Sequence, residues 1–271
     1  MSGESAPDDF LSGASGYVAG IRRSALARLT DATIDLSQSR QRAALRRAAE
    51  RWPPRRRVLV LTIFRPDVPN LEAEARRELG GSRHEVRFEA VEVGGAGKFE
   101  NLNRMLDRSP VTDGDWLLVL DDDVRLPSGF LDNFLFLAER FDLAIAQPAH
   151  RSYSHAAWSV TRRRPRSVVR ETAFVEIGPV VAFQARTFST LLPFPPLKAG
   201  WGLDNHWSAL AAERGWRIGV IDATAVEHAL RPVAASYDRS DAVAEAREFL
   251  ADRPYVGAAE AQRTLITHRH W

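Results

Sequence analysis

From Val58 onward, short apolar runs rich in β-branched residues alternate with segments of helical spacing, and this restricts the fold more than any other feature of the chain. The runs at 58–64, 86–93, 116–120, 143–147, 175–183 and 217–221 are apolar on both faces, as strands buried in a mostly parallel sheet are. Helical spacing falls between them at 70–79, 100–108, 129–140 and 205–213. The expectation is an α/β domain, Rossmann-like, with a mostly parallel central sheet flanked by helices. Ligands of such a sheet sit beyond the carboxyl ends of its strands.

Three segments are expected: a helical N-terminal appendage over 1–56, the α/β domain over 57–235, and a helical tail over 236–271 packing on it. The appendage has helical spacing at 17–29 and 41–52 and stops at Pro53 and Pro54, because proline lacks the donor a helix interior requires. Its arginines Arg40, Arg42, Arg46, Arg47 and Arg51 suit an anionic membrane or partner, while a solvated helix face is the plainer reading. A second basic cluster, Arg162, Arg163, Arg164 and Arg166, is broken by Pro165 and reads as an exposed loop flanked by His150 and His155, with a mobile lid or phosphate-meeting acceptor site as the alternative. The tail has helical spacing at 241–250 and then runs basic and aromatic to Trp271.

Charge excludes one class of partner. Of 37 basic residues only Lys98 and Lys198 are lysine, and 35 acids leave a net charge of +2, so nucleic acid is not implied. The absence of cysteine excludes disulfides, thiolate nucleophiles and thiolate-held zinc. The longest apolar run, 58–64, is far short of the roughly 20 residues that span a bilayer. The first ten residues carry Glu4, Asp8 and Asp9 and no basic group, unlike a secretory signal. A cytoplasmic protein is expected, with peripheral membrane contact as its one membrane role.

The sharpest chemical signal is the run from Trp116 to Leu120 entering Asp121, Asp122 and Asp123. Alternate side chains at a strand end point the same way, so Asp121 and Asp123 are expected to converge while Asp122 turns aside. Hard carboxylate oxygens suit Mg²⁺ or Mn²⁺, and a solvated acidic turn is the alternative. Upstream, Gly94 to Asn103 forms a glycine-rich loop entering a helix at Lys98, where backbone can approach a ligand closely and a helix amino end favours an anion. Downstream, Gly200-Trp201-Gly202-Leu203-Asp204 sets a carboxylate among aromatics at a helix start, as an N-cap, a base, or both. His228 follows the last run, and Glu176 lies in an apolar run where a buried carboxylate needs partners.

In this order, these motifs resemble the nucleotide-sugar glycosyltransferases of the GT-A fold, in particular the family-2-like inverting group and relatives of unassigned function. The resemblance runs from about Arg57 to Pro232. It implies a nucleoside-diphosphate-sugar donor and an acceptor hydroxyl of unknown kind, saccharide, lipid-linked or small molecule. It also implies a divalent metal held by Asp123 and His228. The donor site would be formed by Thr62, Phe64, Lys98, Asn101, Asp121, Asp122, Glu176, Trp201 and Gly202. Asp204 would be the base, although Leu203 stands where family-2 members usually carry Glu. Two other readings differ in class. A phosphatase of the haloacid-dehalogenase kind would use Asp121 as nucleophile, but Arg125 departs from its signature. A non-enzymatic nucleotide- or polyanion-binding module would explain the arginines and leave the ordered acids unexplained.

Overall fold

The computed structural model describes residues 8–12, 20–111, 114–231 and 238–271. The expected helix start at Tyr17 and domain boundary at 235 lie outside them. The chain begins with helices α1 (Ile21–Ser37) and α2 (Ser39–Ala49), then enters β1 (Arg57–Phe64), α3 (Glu72–Gly80), β2 (Glu85–Glu92), α4 (Lys98–Arg108) and β3 (Trp116–Asp121). It continues through α5 (Phe130–Arg140), β4 (Leu143–His150), β5 (Val169–Thr172), β6 (Val180–Gln184), the short α6 (Phe188–Leu191), α7 (Leu203–Glu213) and β7 (Arg217–Val226). Helices α8 (Arg239–Leu250) and α9 (Ala258–Ala261) and strand β8 (Thr264–His268) close it.

The strands form one sheet in the order β2-β1-β3-β6-β4-β7-β5-β8. Odd and even residues of the central strands feed two cores, as the two-residue pleat requires. Val58 and Val60 of β1, with Trp116, Leu118 and Leu120 of β3, pack beneath α5. Leu59, Leu61, Leu117 and Val119 face Phe99 of α4 and Trp207 of α7. Helix α2 sends Leu45 and Ala49 into the first core. Among the described residues no helix is long and apolar enough to cross a membrane.

Several expectations are corrected. The sheet is mixed rather than mostly parallel: β1 pairs in parallel with β2 and β3, and β4 with β7, whereas β6 runs antiparallel between β3 and β4. Strands β5 and β8 extend it antiparallel beyond β7, so the C-terminal segment is not purely helical. The run expected as a strand over 175–183 becomes regular only at Val180, which leaves Glu176 in an irregular segment. The basic loop is not simply exposed. Arg163 is buried, its guanidinium donating to Asp35 of α1 at 2.6 Å and to Gln38, between α1 and α2, at 2.6 Å. Its neighbour Arg170 is fully buried against Asp222, with further donors to the carbonyls of Val160 and Arg162.

Candidate active site

The acidic run sits where β3 ends. Strand geometry stops at Asp121 and the chain turns, so the alternation rule fails one residue later. Asp121 does not share the partners of Asp123. It pairs instead with Lys98 at 2.5 Å, while its backbone N–H donates to the carbonyl of Pro179. Asp122 and Asp123 share a partner: the Arg231 guanidinium donates to Asp122 and lies 3.3 Å from Asp123 Oδ2. Asp122, expected to turn aside, is buried and also accepts the Arg65 N–H at 3.0 Å.

His228 reaches Asp123 because an isolated antiparallel bridge between Arg125 and Glu227 pins the end of β7 beside the acidic turn. Its Nε2 is 3.2 Å from Asp123 Oδ1. Burial works against the charge on Asp123, but the hydrogen bond and charge of His228, together with Arg231, hold its carboxyl below the usual carboxylate value. Burial likewise lowers His228, and Asp123 with more distant Asp121 and Glu176 outweighs it and raises the imidazole. His155, edge-on to His228 at 6.4 Å, is lowered by burial and by that imidazolium.

The segment from Glu176 to Gly178 links the remaining acids. Glu176 meets His150 Nε2 at 3.2 Å and accepts the Thr161 hydroxyl at 3.0 Å. Ile177 donates its N–H to Asp204 Oδ2 at 3.2 Å. A Cβ on Gly178 would lie 2.8 Å from Asp121 Oδ2, so glycine is what lets this segment pass the carboxylate. Asp204 stands in the first turn of α7, and Gly202 rather than Asp204 occupies the cap position. Its carboxyl is buried, and burial, with like charge from Glu176, raises it to about 7 against the N–H donors of Ile177 and Asn205.

The glycine loop differs from expectation. The first N–H groups of α4 donate to the chain itself, Lys98 to the Lys198 carbonyl at 2.8 Å and Phe99 to that of Leu197 at 3.2 Å. A Cβ at Gly97 would run into Lys198 Cα. The close approach therefore serves α4 and the 197–198 segment, and the Lys98 and Phe99 amides at this helix end are engaged by the chain itself rather than open to an anion. Asn101 is buried and donates to the Ala96 carbonyl at 3.2 Å, supporting the loop from beneath. Gly202, at φ +82°, lies against Leu250, and Trp201 is half-buried with Arg239 5.6 Å above its ring. Thr62 and Phe64 lie at the carboxyl end of β1; the Thr62 hydroxyl is buried without a hydrogen-bond partner among the described residues.

A cleft of about 200 Å³ reaches Asp123 between Arg28, Leu71, Tyr153 and Leu230. It is smaller than the roughly 300 Å³ at which small-molecule sites begin, giving room for part of such a ligand. A larger open groove of about 610 Å³ along α8, lined by Leu197, Glu245 and Arg253, contains none of the acids above. No group of three or more His, Cys, Asp or Glu able to hold a metal occurs among the described residues. Asp123 and His228 therefore supply at most two protein donors, a carboxylate and an imidazole. That set fits a cation held jointly with phosphates, as Mg²⁺ and Mn²⁺ commonly are, rather than a free-standing metal centre.

No protein-family model and no curated protein sequence matches the chain. Among solved structures it is similar to a mannosyltransferase from Pyrobaculum calidifontis in complex with GDP-Man and Mn²⁺. The TM-score is 0.52 at 14% identity, covering 89% of this chain and 79% of that one. The fold is of the GT-A type. It is also similar, with a TM-score of 0.48 at 12% identity over 75% of this chain and 68% of that one, to S. aureus TarS in complex with UDP-GlcNAc.

Proposed function

We propose that the chain is a metal-dependent glycosyltransferase that moves a hexose from a nucleoside-diphosphate sugar to an acceptor hydroxyl with inversion. One observation carries the reading. Beside a GT-A sheet, residues 177–179 contact both the Asp121–Lys98 pair and a buried Asp204 raised to about 7, and two residues beyond Asp121 stands the Asp123–His228 pair. The similarity in fold to a mannosyltransferase that binds GDP-Man and Mn²⁺ supports it.

In this reading Asp204 is the base. Its carboxylate takes the acceptor hydroxyl proton as that oxygen bonds to the anomeric carbon, and the bond to the nucleoside diphosphate breaks on the opposite face, which inverts the centre. A carboxyl near 7 suits this task, because a base works best with its pKa close to working pH. Asp123 and His228 would hold Mn²⁺ or Mg²⁺, which when bound neutralises charge on the departing diphosphate. Asp121 and Lys98 would meet the ribose and phosphates, and Thr62 and Phe64 the base. Glu176 would hold sugar hydroxyls, and Trp201 with Gly202 would border the sugar. Asp122 acts by holding Arg231, which stands ready to meet a phosphate oxygen.

The phosphatase reading has less support. Asp121, its would-be nucleophile, is paired with Lys98, and β3 is the third strand along the chain. The deciding experiment measures calorimetric binding of GDP and UDP with and without Mn²⁺, and sugar transfer or donor hydrolysis, in wild-type and Asp123→Ala proteins. Metal-dependent nucleotide binding that disappears in Asp123→Ala is the expected outcome. Wild-type affinity in Asp123→Ala, or a phospho-aspartate trapped at Asp121, would overturn the reading.

A further inference from the structure

Helix α1 turns its two acids and Ile34 to the protein and leaves its leucines outside. A surface helix normally turns its apolar stripe to the core and its charges outward. Here Asp31 and Asp35 face the protein. Asp31 is 2% exposed and accepts the N–H groups of Ser152 and Tyr153 at 2.9 and 2.8 Å. Asp35 accepts from Arg42, Arg151 and Arg163. The outward face carries Leu26, Leu29 and Leu36, at 65%, 62% and 77% exposed, with Ile21 at 90%. Spacings of three, seven and ten residues set the leucines on one side, with exposed Ala25, Ala32 and Thr33 between them. Four large apolar side chains on one free face form a contact surface rather than scattered exposure.

Charge decides the occupant. Between Ile21 and Arg51, seven arginines are exposed, Arg22, Arg23, Arg28, Arg40, Arg46, Arg47 and Arg51, against a single exposed acid, Glu50. A second copy docking across a two-fold axis would bring the same patch onto itself, arginine against arginine. An anionic bilayer supplies both an apolar layer for the leucines and phosphate groups for arginines that reach past them. We infer that the outward face of α1 docks on an anionic membrane surface. The apolar contact belongs to α1, whereas the membrane alternative read from the sequence rested on the arginines between 40 and 51; Arg42, one of those, is engaged by Asp35.

The consequence for the cleft is geometric. Arg28 lies 3.7 Å from the Tyr153 ring centroid, and both residues line the cleft that reaches Asp123. Docking through α1 therefore brings a helix that walls this cleft to the membrane. The docking itself does not depend on the transfer reaction, so either can fail without the other.

The test is co-sedimentation of the full chain with phosphatidylcholine vesicles, with and without about 30% phosphatidylglycerol, alongside light scattering without lipid. The expected result is binding to the anionic vesicles alone, reduced about tenfold or more in Leu26→Gln/Leu29→Gln/Leu36→Gln and again in Arg22→Glu/Arg23→Glu. These positions are exposed, and circular dichroism verifies that each variant is folded. Failure of the wild type to sediment with anionic vesicles overturns the inference, as does triple-variant binding equal to wild type. A wild-type dimer that the glutamine substitutions convert to a monomer, without vesicle binding, assigns the face to a second copy and also overturns it.

Discussion

If Asp204 is the proposed base, one titration ties function to stability. Its carboxyl titrates near 7 in the fold and near 3.8 when unfolded. The native state therefore binds more protons between these values, and stability falls as pH rises through that window. A difference of about three pH units is worth roughly 4 kcal/mol at most, fully lost above pH 7. Asp204→Asn cannot ionise and escapes the loss. Its melting temperature relative to wild type should therefore climb between pH 4 and pH 8, by several degrees at about 2–4 °C per kcal/mol for a chain of this size. A difference independent of pH would place the titration elsewhere. The same variant should retain nucleotide binding and lose turnover by about a hundredfold or more, and wild-type turnover should rise with pH through about 7. Turnover equal to wild type would remove Asp204 as the base.

The N-terminal helices illustrate what an element gains from a few buried charges. Asp35 gathers Arg42, Arg151 and Arg163, and the Arg163 side chain is wholly buried, with burial lowering it despite Asp35. The pairing joins α1 to the 151–163 segment that carries His155 and Tyr153. Removing one partner of a buried pair costs about 3–5 kcal/mol. Asp35 is about a quarter exposed, so Asp35→Ala should cost roughly 2–3 kcal/mol and lower the melting temperature by about 4–12 °C. Hydrogen exchange should rise at the Ser152 and Tyr153 amides, which the same helix holds through Asp31. Unchanged stability would mean that water replaces the carboxylate without loss. None of this was legible from the sequence, where the Arg162–Arg166 cluster reads as solvated. Burial of Arg163 depends on an acid 128 residues away, and no local pattern encodes that pairing.

At the scale of the whole molecule, the central strands were legible because β1, β3 and β4 are apolar on both faces, which only a doubly covered sheet accommodates. Strand β5 was hidden because its middle residues, Arg170 and Glu171, are polar. They are satisfied by Asp222, backbone carbonyls and His268 once the sheet has formed. Of the candidate site, the family resemblance paired Asp123 with the distant His228, and the Arg125–Glu227 bridge brings them together. Arg231 was missed, since nothing in its neighbourhood marks a residue that will bind acids more than a hundred positions earlier. With two protein donors and an arginine already on Asp123, a cation should bind weakly alone and well only when phosphates complete its coordination. Thermal melting checks this coupling. Mn²⁺ alone should leave the melting temperature nearly unchanged, whereas Mn²⁺ with a saturating nucleoside diphosphate should raise it. At about one hundred times the dissociation constant, mass action supplies roughly 2.7 kcal/mol, or about 5–10 °C. Arg231→Ala should strengthen the response to Mn²⁺ alone by freeing Asp123, while weakening the nucleotide response through the lost phosphate contact. An equal response to Mn²⁺ with and without nucleotide would show that the metal is held by the protein alone.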